Sequence, residues 1–194
     1  MTRRYCNVCC RPEVSCICQF TVEVSNNVHV VVLQHPSEVK QSKGSVTLLS
    51  LSLCNCTCIV GEDFQSSAEL SEILRKYQGK VALLYPSDKA ELVNDFLSST
   101  SDIQCVILLD GTWKKAYKMY QLNPLLHSLP HIKLPDEFES LYAIRKTTKK
   151  GGLSTLEACC HTLNVLEGSI AKYEPLLERF TAFNTYLSSF DKSR

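Results

Sequence analysis

Two close cysteine pairs open the chain: Cys6-x2-Cys9 and, after six intervening residues, Cys16-x-Cys18. Each pair can clamp one edge of a tetrahedral ion, and the loop between them brings the pairs together. Four thiolates fill such a coordination sphere, so the expected site is structural, with no open position for a reacting ligand. Cys10 is a stand-in ligand for Cys9. Arg3, Arg4 and Arg11 lie in the same segment, where they lower thiolate pKa values and can also touch phosphate. Free, buried thiols are the competing reading. A polar head of this length has no other evident way to fold, which favours zinc.

A second set of candidate residues sits where apolar runs end. Asp110-Gly111-Thr112-Trp113 follows such a run and opens a helix. An acid there is poorly placed for packing and well placed to face a ligand. Gly111 would let the backbone turn sharply, and Thr112 can cap the helix. Trp113, the only Trp, can form an apolar wall. The same four residues also read as a capped strand–helix turn with a core Trp. Gln34-His35-Pro36-Ser37-Glu38 and Tyr85-Pro86-Ser87 mark two further run ends. His35 and Glu38 can shape the site, but His35 before Pro36 reads more readily as a turn residue.

The elements that must position these residues follow from periodicity. Strands are expected at 28–33, 56–60, 81–85, 104–109 and 131–134. Helices are expected at 46–53, 67–78, 89–97, 113–122, 155–167 and 175–187. Ser154 caps the helix from Thr155, and Gly79 and Gly168 follow helix ends. The strands are continuous apolar runs that alternate with helices, which is the pattern of a parallel sheet covered on both faces. Ligands of such sheets bind at the carboxyl ends of the strands.

The chain has 194 residues, 44% of them hydrophobic, enough for one core without disulfide support. A cysteine-rich head over 1–20 and a catalytic unit over 21–194 are expected. No apolar run is long enough for a membrane helix, and no apolar segment follows the N-terminus as in a secretory signal. Eleven cysteines then imply reduced thiols in an intracellular, cytoplasmic setting, or a nuclear one in a eukaryote. Net charge is +1, but residues 111–150 carry eight Lys or Arg against three acids, leaving the rest at −4. Such a face suits a polyanion, and is equally what a solvated surface looks like.

Several segments together resemble the DTW-domain family. Leu109-Asp110-Gly111-Thr112-Trp113 is similar to its D-x-T-W signature, and the head to its C-x2-C…C-x-C opening. His35-Pro36-Ser37-Glu38 resembles its H-P-x-E element, and Leu83-Leu84-Tyr85-Pro86 its L-[FY]-P strand end. Tyr142-Ala-Ile-Arg145-Lys146 resembles Y-x-x-R-K, and Leu153-Ser154-Thr155-Leu156-Glu157-Ala158 resembles L-S-T-x-E-A. The loop Ser42-Lys43-Gly44-Ser45 departs from the Asn-Thr often found there.

The resemblance implies a SPOUT-like α/β fold with a knot and a bent S-adenosylmethionine. It implies transfer of 3-amino-3-carboxypropyl to N3 of a tRNA uridine, with release of methylthioadenosine. On that reading Asp110 and Trp113 are catalytic. Leu84, Tyr85, Pro86, Leu108, Asp110, Thr112, Trp113, Leu153, Ser154 and Thr155 hold the cofactor, with backbone amides at the helix start. Lys114, Arg145, Lys146, Lys149 and Lys150 meet RNA, and Cys6, Cys9, Cys16 and Cys18 hold Zn2+. Glu157 reads equally well as a site residue or as helix-dipole stabilisation. A monomer working on tRNA is expected. Two alternatives are a SPOUT-type RNA methyltransferase and a non-enzymatic zinc-ribbon module that binds RNA.

Overall fold

A computed structural model describes residues 4–41, 43–99, 102–135, 152–169 and 171–191. After two short 3-10 turns, Glu13–Ser15 and Cys18–Phe20, strands and helices alternate. The strands are β1 (His29–Gln34), β2 (Cys56–Val60), β3 (Val81–Leu84), β4 (Glu91–Leu92), β5 (Cys105–Asp110) and β6 (His131–Lys133). The helices are α1 (Val46–Ser52), α2 (Ala68–Lys76), α3 (Val93–Ser99), α4 (Trp113–Leu122), α5 (Pro124–His127), α6 (Thr155–Leu166) and α7 (Glu174–Asp191). The strands form one sheet in the order β2-β1-β5-β3-β6-β4, and every pairing is parallel. This is the α/β architecture that the apolar runs predict.

Alternation along the strands divides the interior in two. Val30 and Val32 of β1 and Val106 and Leu108 of β5 face one core with residues of α1, α3, α6 and α7. Val31, Leu33, Cys105 and Ile107 face the other, with residues of α2, α4 and α5. Gln34 and Asp110 continue the even-numbered series, so their side chains lie on the α6 side.

One expected helix begins late. Glu91 and Leu92 pair with Ile132 and Lys133 as a two-residue edge strand, and the helix starts only at Val93. The open edge of β6 offers backbone groups that two extended residues can satisfy. Pro124–His127 adds one helical turn beyond the expected stop, with Pro124 in the first-turn position that tolerates a missing N–H. The expected knot depends on the path of residues 136–151, which lie outside the described residues. No helix among the described residues is long and apolar enough to cross a membrane.

The head packs onto the same core as the sheet. Ile17 is fully buried, and Phe20 meets the rings of Phe183 and Tyr186 at 5.7 and 5.3 Å. Arg11 lies over the Phe183 ring and donates to the Gly44 carbonyl at 3.4 Å.

The other end of the sheet is anchored by Glu167, which follows α6. Its Oε1 accepts from the amides of Asn27 and Val28 at 2.7 and 3.0 Å, and Oε2 pairs with Lys172. Burial acts to raise this carboxyl, but the bonds from Lys172 and the two amides hold it below its ordinary value. Glu167→Ala should lower stability by about 2–3 kcal/mol, because two amides at the start of β1 lose their acceptor. A depressed carboxylate stabilises above its unfolded pKa, and that stability is lost as pH falls through the folded value. Acid denaturation curves should therefore show a flatter low-pH limb for Glu167→Gln than for the native chain.

Candidate functional site

The site is built where β1, β5 and β3 end side by side. The register sets Gln34 of β1 directly beside Asp110 of β5, and Leu84 of β3 beside Leu108. Neighbouring strands lie about 4.8 Å apart, so the two polar side chains at positions 34 and 110 meet across the gap. Gln34 Nε2 donates to Asp110 Oδ2 at 2.9 Å. Thr155 Oγ1, at the start of α6, donates to Asp110 Oδ1 at 2.6 Å. Both carboxylate oxygens are thus held by neutral donors, and Asp110 is only 9% exposed. Among the described residues, the ion pairs use other acids and leave Asp110 without a cation.

The start of α6 is fixed by a capping box. Ser154 Oγ accepts from the Glu157 amide at 3.2 Å, and Glu157 Oε2 accepts from the Ser154 amide at 2.8 Å. Glu157, fully buried, serves as the second half of this cap. The box consumes two of the amides that the sequence offers to a ligand, leaving those of Thr155 and Leu156 outside it. Leu153 is half-buried beside this turn.

Across the strand ends lies an aromatic group. Tyr85 stacks on Tyr120 with ring centroids 4.7 Å apart, while Leu84 is half-buried and Pro86 exposed. Burial, and then Tyr120 and Tyr117, push the Tyr85 hydroxyl above its ordinary pKa, so it stays protonated. Ser87 and His131 Nδ1 meet at 2.6 Å, and His131 Nε2 and the Leu126 carbonyl at 2.9 Å. Burial lowers the His131 pKa, so the neutral ring donates from Nε2 to that carbonyl and accepts from Ser87.

Trp113 is 51% exposed, so the core-Trp reading is wrong. It opens α4, with Lys114 exposed beside it and Thr112 accepting from the Lys115 amide at 3.4 Å. Leu108 is 3% exposed within the core, beneath the strand end. His35 does more than turn the chain. Its Nδ1 accepts from the Ser37 amide at 3.2 Å, and its Nε2 meets Glu62 at 2.8 Å. Lys118 also pairs with Glu62, and Lys115 binds buried Glu38 at 2.7 Å. Arg145, Lys146, Lys149 and Lys150 lie outside the described residues.

Cys6, Cys9, Cys16 and Cys18 bring their sulfurs within 4.8 Å of one another, a cluster that could hold a metal ion. The Cys6–Cys18 and Cys9–Cys16 separations are 3.6 and 3.7 Å. A tetrahedral ion with metal–sulfur bonds of about 2.3 Å has edges of about 3.8 Å, so the donors fit. Amide donation from Cys9, and then from Val8, lowers the Cys6 thiol to about 6. Burial, and then the neighbouring thiols, raise Cys18 to about 12. Only a cation would keep the four sulfurs deprotonated together. Cys10 is exposed at φ 54, outside the cluster, so it does not substitute for Cys9.

Gln34 stands at one of the expected run ends, but its sequence gives no sign of the bond to Asp110. It follows an apolar run, where a polar residue reads as the start of a loop. Gly111 is required for a reason other than the expected sharp turn. Its φ is not left-handed, but an added Cβ would lie 3.1 Å from Lys115 Cβ and 3.6 Å from His35 Cβ. Gly111→Ala should therefore destabilise by about 1 kcal/mol through crowding between α4 and the loop after β1, as read by urea denaturation.

The family model of the DTW domain matches residues 3–188. A protein of Drosophila melanogaster named tRNA-uridine aminocarboxypropyltransferase 2 is 36% identical over 172 residues, covering 85% of this chain and 67% of that one. Proteins of the same name from Macaca fascicularis and Mus musculus are 30% and 29% identical over 191 residues, covering 95% of this chain and 63% of each relative. The chain thus spans roughly two thirds of the length of these curated relatives. No solved structure matches it. A match over nearly the whole length, with Asp110 and Trp113 where a parallel sheet gathers its ligands, makes the chain a member of the DTW-domain family.

Proposed function

We propose that the chain moves the 3-amino-3-carboxypropyl group of S-adenosylmethionine to N3 of a tRNA uridine. The observation that carries this reading is Asp110, a buried carboxylate held by two neutral donors at the centre of a parallel sheet. A carboxylate held there by neutral donors suits a positively charged ligand. The names of the relatives supply the reaction. When bound, S-adenosylmethionine supplies an electrophilic carbon beside a sulfonium. In the transfer a bond forms from N3 to that carbon, the carbon–sulfur bond breaks, and the N3 proton leaves with a base.

Asp110 would complement the sulfonium. Leu84, Tyr85 and Pro86, with Leu153, Ser154 and Thr155, would hold the cofactor, supported by Leu108 and Thr112. Exposed Trp113 would pack the amino-acid arm. Lys114, Arg145, Lys146, Lys149 and Lys150 meet the tRNA backbone. The cysteine cluster holds one Zn2+ as a closed structural site. The compartment is intracellular, consistent with eleven free thiols.

Nucleoside mass spectrometry of tRNA incubated with the chain and S-adenosylmethionine tests the reaction. The expected product is 3-(3-amino-3-carboxypropyl)uridine with methylthioadenosine as the spent cofactor. S-adenosylhomocysteine in its place would mean a methyltransferase. Asp110→Ala should lower transfer by ~100-fold or more while folding and metal content survive. Transfer at the native rate would remove Asp110 from the site. Metal analysis of reduced protein should find one zinc per chain. Cys16→Ala should lose it and lower the melting temperature, with S-adenosylmethionine affinity nearly unchanged.

A further inference from the structure

Gln34 occupies a costly position. It is 7% exposed, at the end of a central strand, where an apolar side chain would pack without a hydrogen-bond requirement. Its amide is fixed at both ends. Nε2 donates to Asp110 Oδ2 at 2.9 Å, and Oε1 faces Cys58 Sγ of β2 at 3.8 Å. Burial, and then the charges of Asp110 and Glu69, push the Cys58 thiol up to about 11, so the sulfur remains a donor. A flipped amide would set oxygen against carboxylate on one side and leave a thiol facing NH2 on the other. The orientation is therefore determined by both neighbours. A chain of contacts thus runs from Cys58 on β2 through Gln34 on β1 to Asp110 on β5 and Thr155 on α6.

We infer that Gln34 is a positioning residue for Asp110, setting the carboxylate plane and leaving its charge uncancelled for a cationic ligand. The choice of an amide matters. Lys or Arg at position 34 would hold the carboxylate more tightly and neutralise it. Leu would bury more apolar surface and let the carboxylate rotate. A neutral, two-ended donor does neither. The ligand in question is the sulfonium of S-adenosylmethionine, so this inference rests on the proposed function. The contact itself does not.

Two variants separate these levels, read by calorimetry and by thermal melting of the full chain. Gln34→Leu should weaken S-adenosylmethionine binding by about 10-fold, the worth of one hydrogen bond to a charged group. Binding of methylthioadenosine, which lacks the sulfonium charge, should change by less than about 2-fold. Native affinity for S-adenosylmethionine in Gln34→Leu would overturn the inference, as would an equal loss for both ligands, which marks a residue that only fills space.

Gln34→Glu places a second carboxylate against Asp110, and the two must share a proton. The pair's folded pKa is then raised, so its stability is present at low pH and lost as pH rises through it. Melting temperature should fall between about pH 5 and pH 8 relative to the native chain. Adding Asp110→Asn restores one donor facing one acceptor and should abolish that slope, or rescue folding if the single variant does not fold. A Gln34→Glu chain without the slope, or a double variant without rescue, would show that the two side chains do not meet. A native chain that fails to bind S-adenosylmethionine would remove the functional reading, while the slope and the rescue, which need no ligand, still decide the contact.

Discussion

Gln34 and Asp110 meet because β1 and β5 run parallel with Gln34 opposite Asp110. A shift of one residue would turn one of the two side chains to the α4 face and remove the hydrogen bond between them. The register is fixed below the site by fully buried Val30 and Val32 against Val106 and nearly buried Leu108. That apolar column packs only when each residue keeps its face. Packing in the sheet interior therefore sets the hydrogen bond at its edge. Thr155 adds the third member, and α6 can supply it only because Leu156, Cys159, Cys160 and Leu163 bury the helix against the same column. The three groups that define the site come from three elements, and each is placed by apolar contacts farther down.

The cysteine cluster is tied into this framework and is not a separate bead. Its loop carries Ile17 and Phe20, both part of the core that includes α6 and α7. Arg11 lies over Phe183 and reaches the Gly44 carbonyl just before α1. Gathering four sulfurs thus also seats two apolar side chains under α7. A cation there would lower the cost of ordering a head otherwise held by its own backbone hydrogen bonds, such as Cys6 to Arg11 and Glu13 to Arg4. The cluster thus contributes to the core through Ile17 and Phe20.

Much of this was legible in residue order. The apolar runs of β1, β2, β3 and β5 and the caps Thr112 and Ser154 fall where periodicity and side-chain chemistry put them. What was hidden depends on pairing across the chain. Glu91 and Leu92 carry no strand signal of two residues' length, and only the open edge of β6 makes them one. Gln34 reads as a loop residue until β5 supplies a carboxylate beside it. Trp113 reads as core by composition, but its place at the first turn of α4 turns it outward. Gly111 reads as a turn glycine, whereas its missing Cβ makes room for Lys115 and His35. In each case the local sequence states what a residue can do, and a partner distant in the chain decides what it does.

Charge shows the same rule. Counted along the chain, residues 111–150 carry a net +5. In space, Lys115 is held by Glu38 and Lys118 by Glu62, acids that belong to the loops after β1 and β2. His35 shares Glu62, and Lys118 and His35 both hold that carboxyl below its ordinary pKa, Lys118 foremost. These contacts tie α4, which Trp113 opens, to the strand-end loops. They also reduce the field that Lys115 and Lys118 could offer to a phosphate. A linear count therefore overstates the attraction of this face for a polyanion. The cations of α4 are not alike: Lys115 and Lys118 are held by acids of the strand-end loops and orient the helix, whereas Lys114, beside Trp113, is exposed.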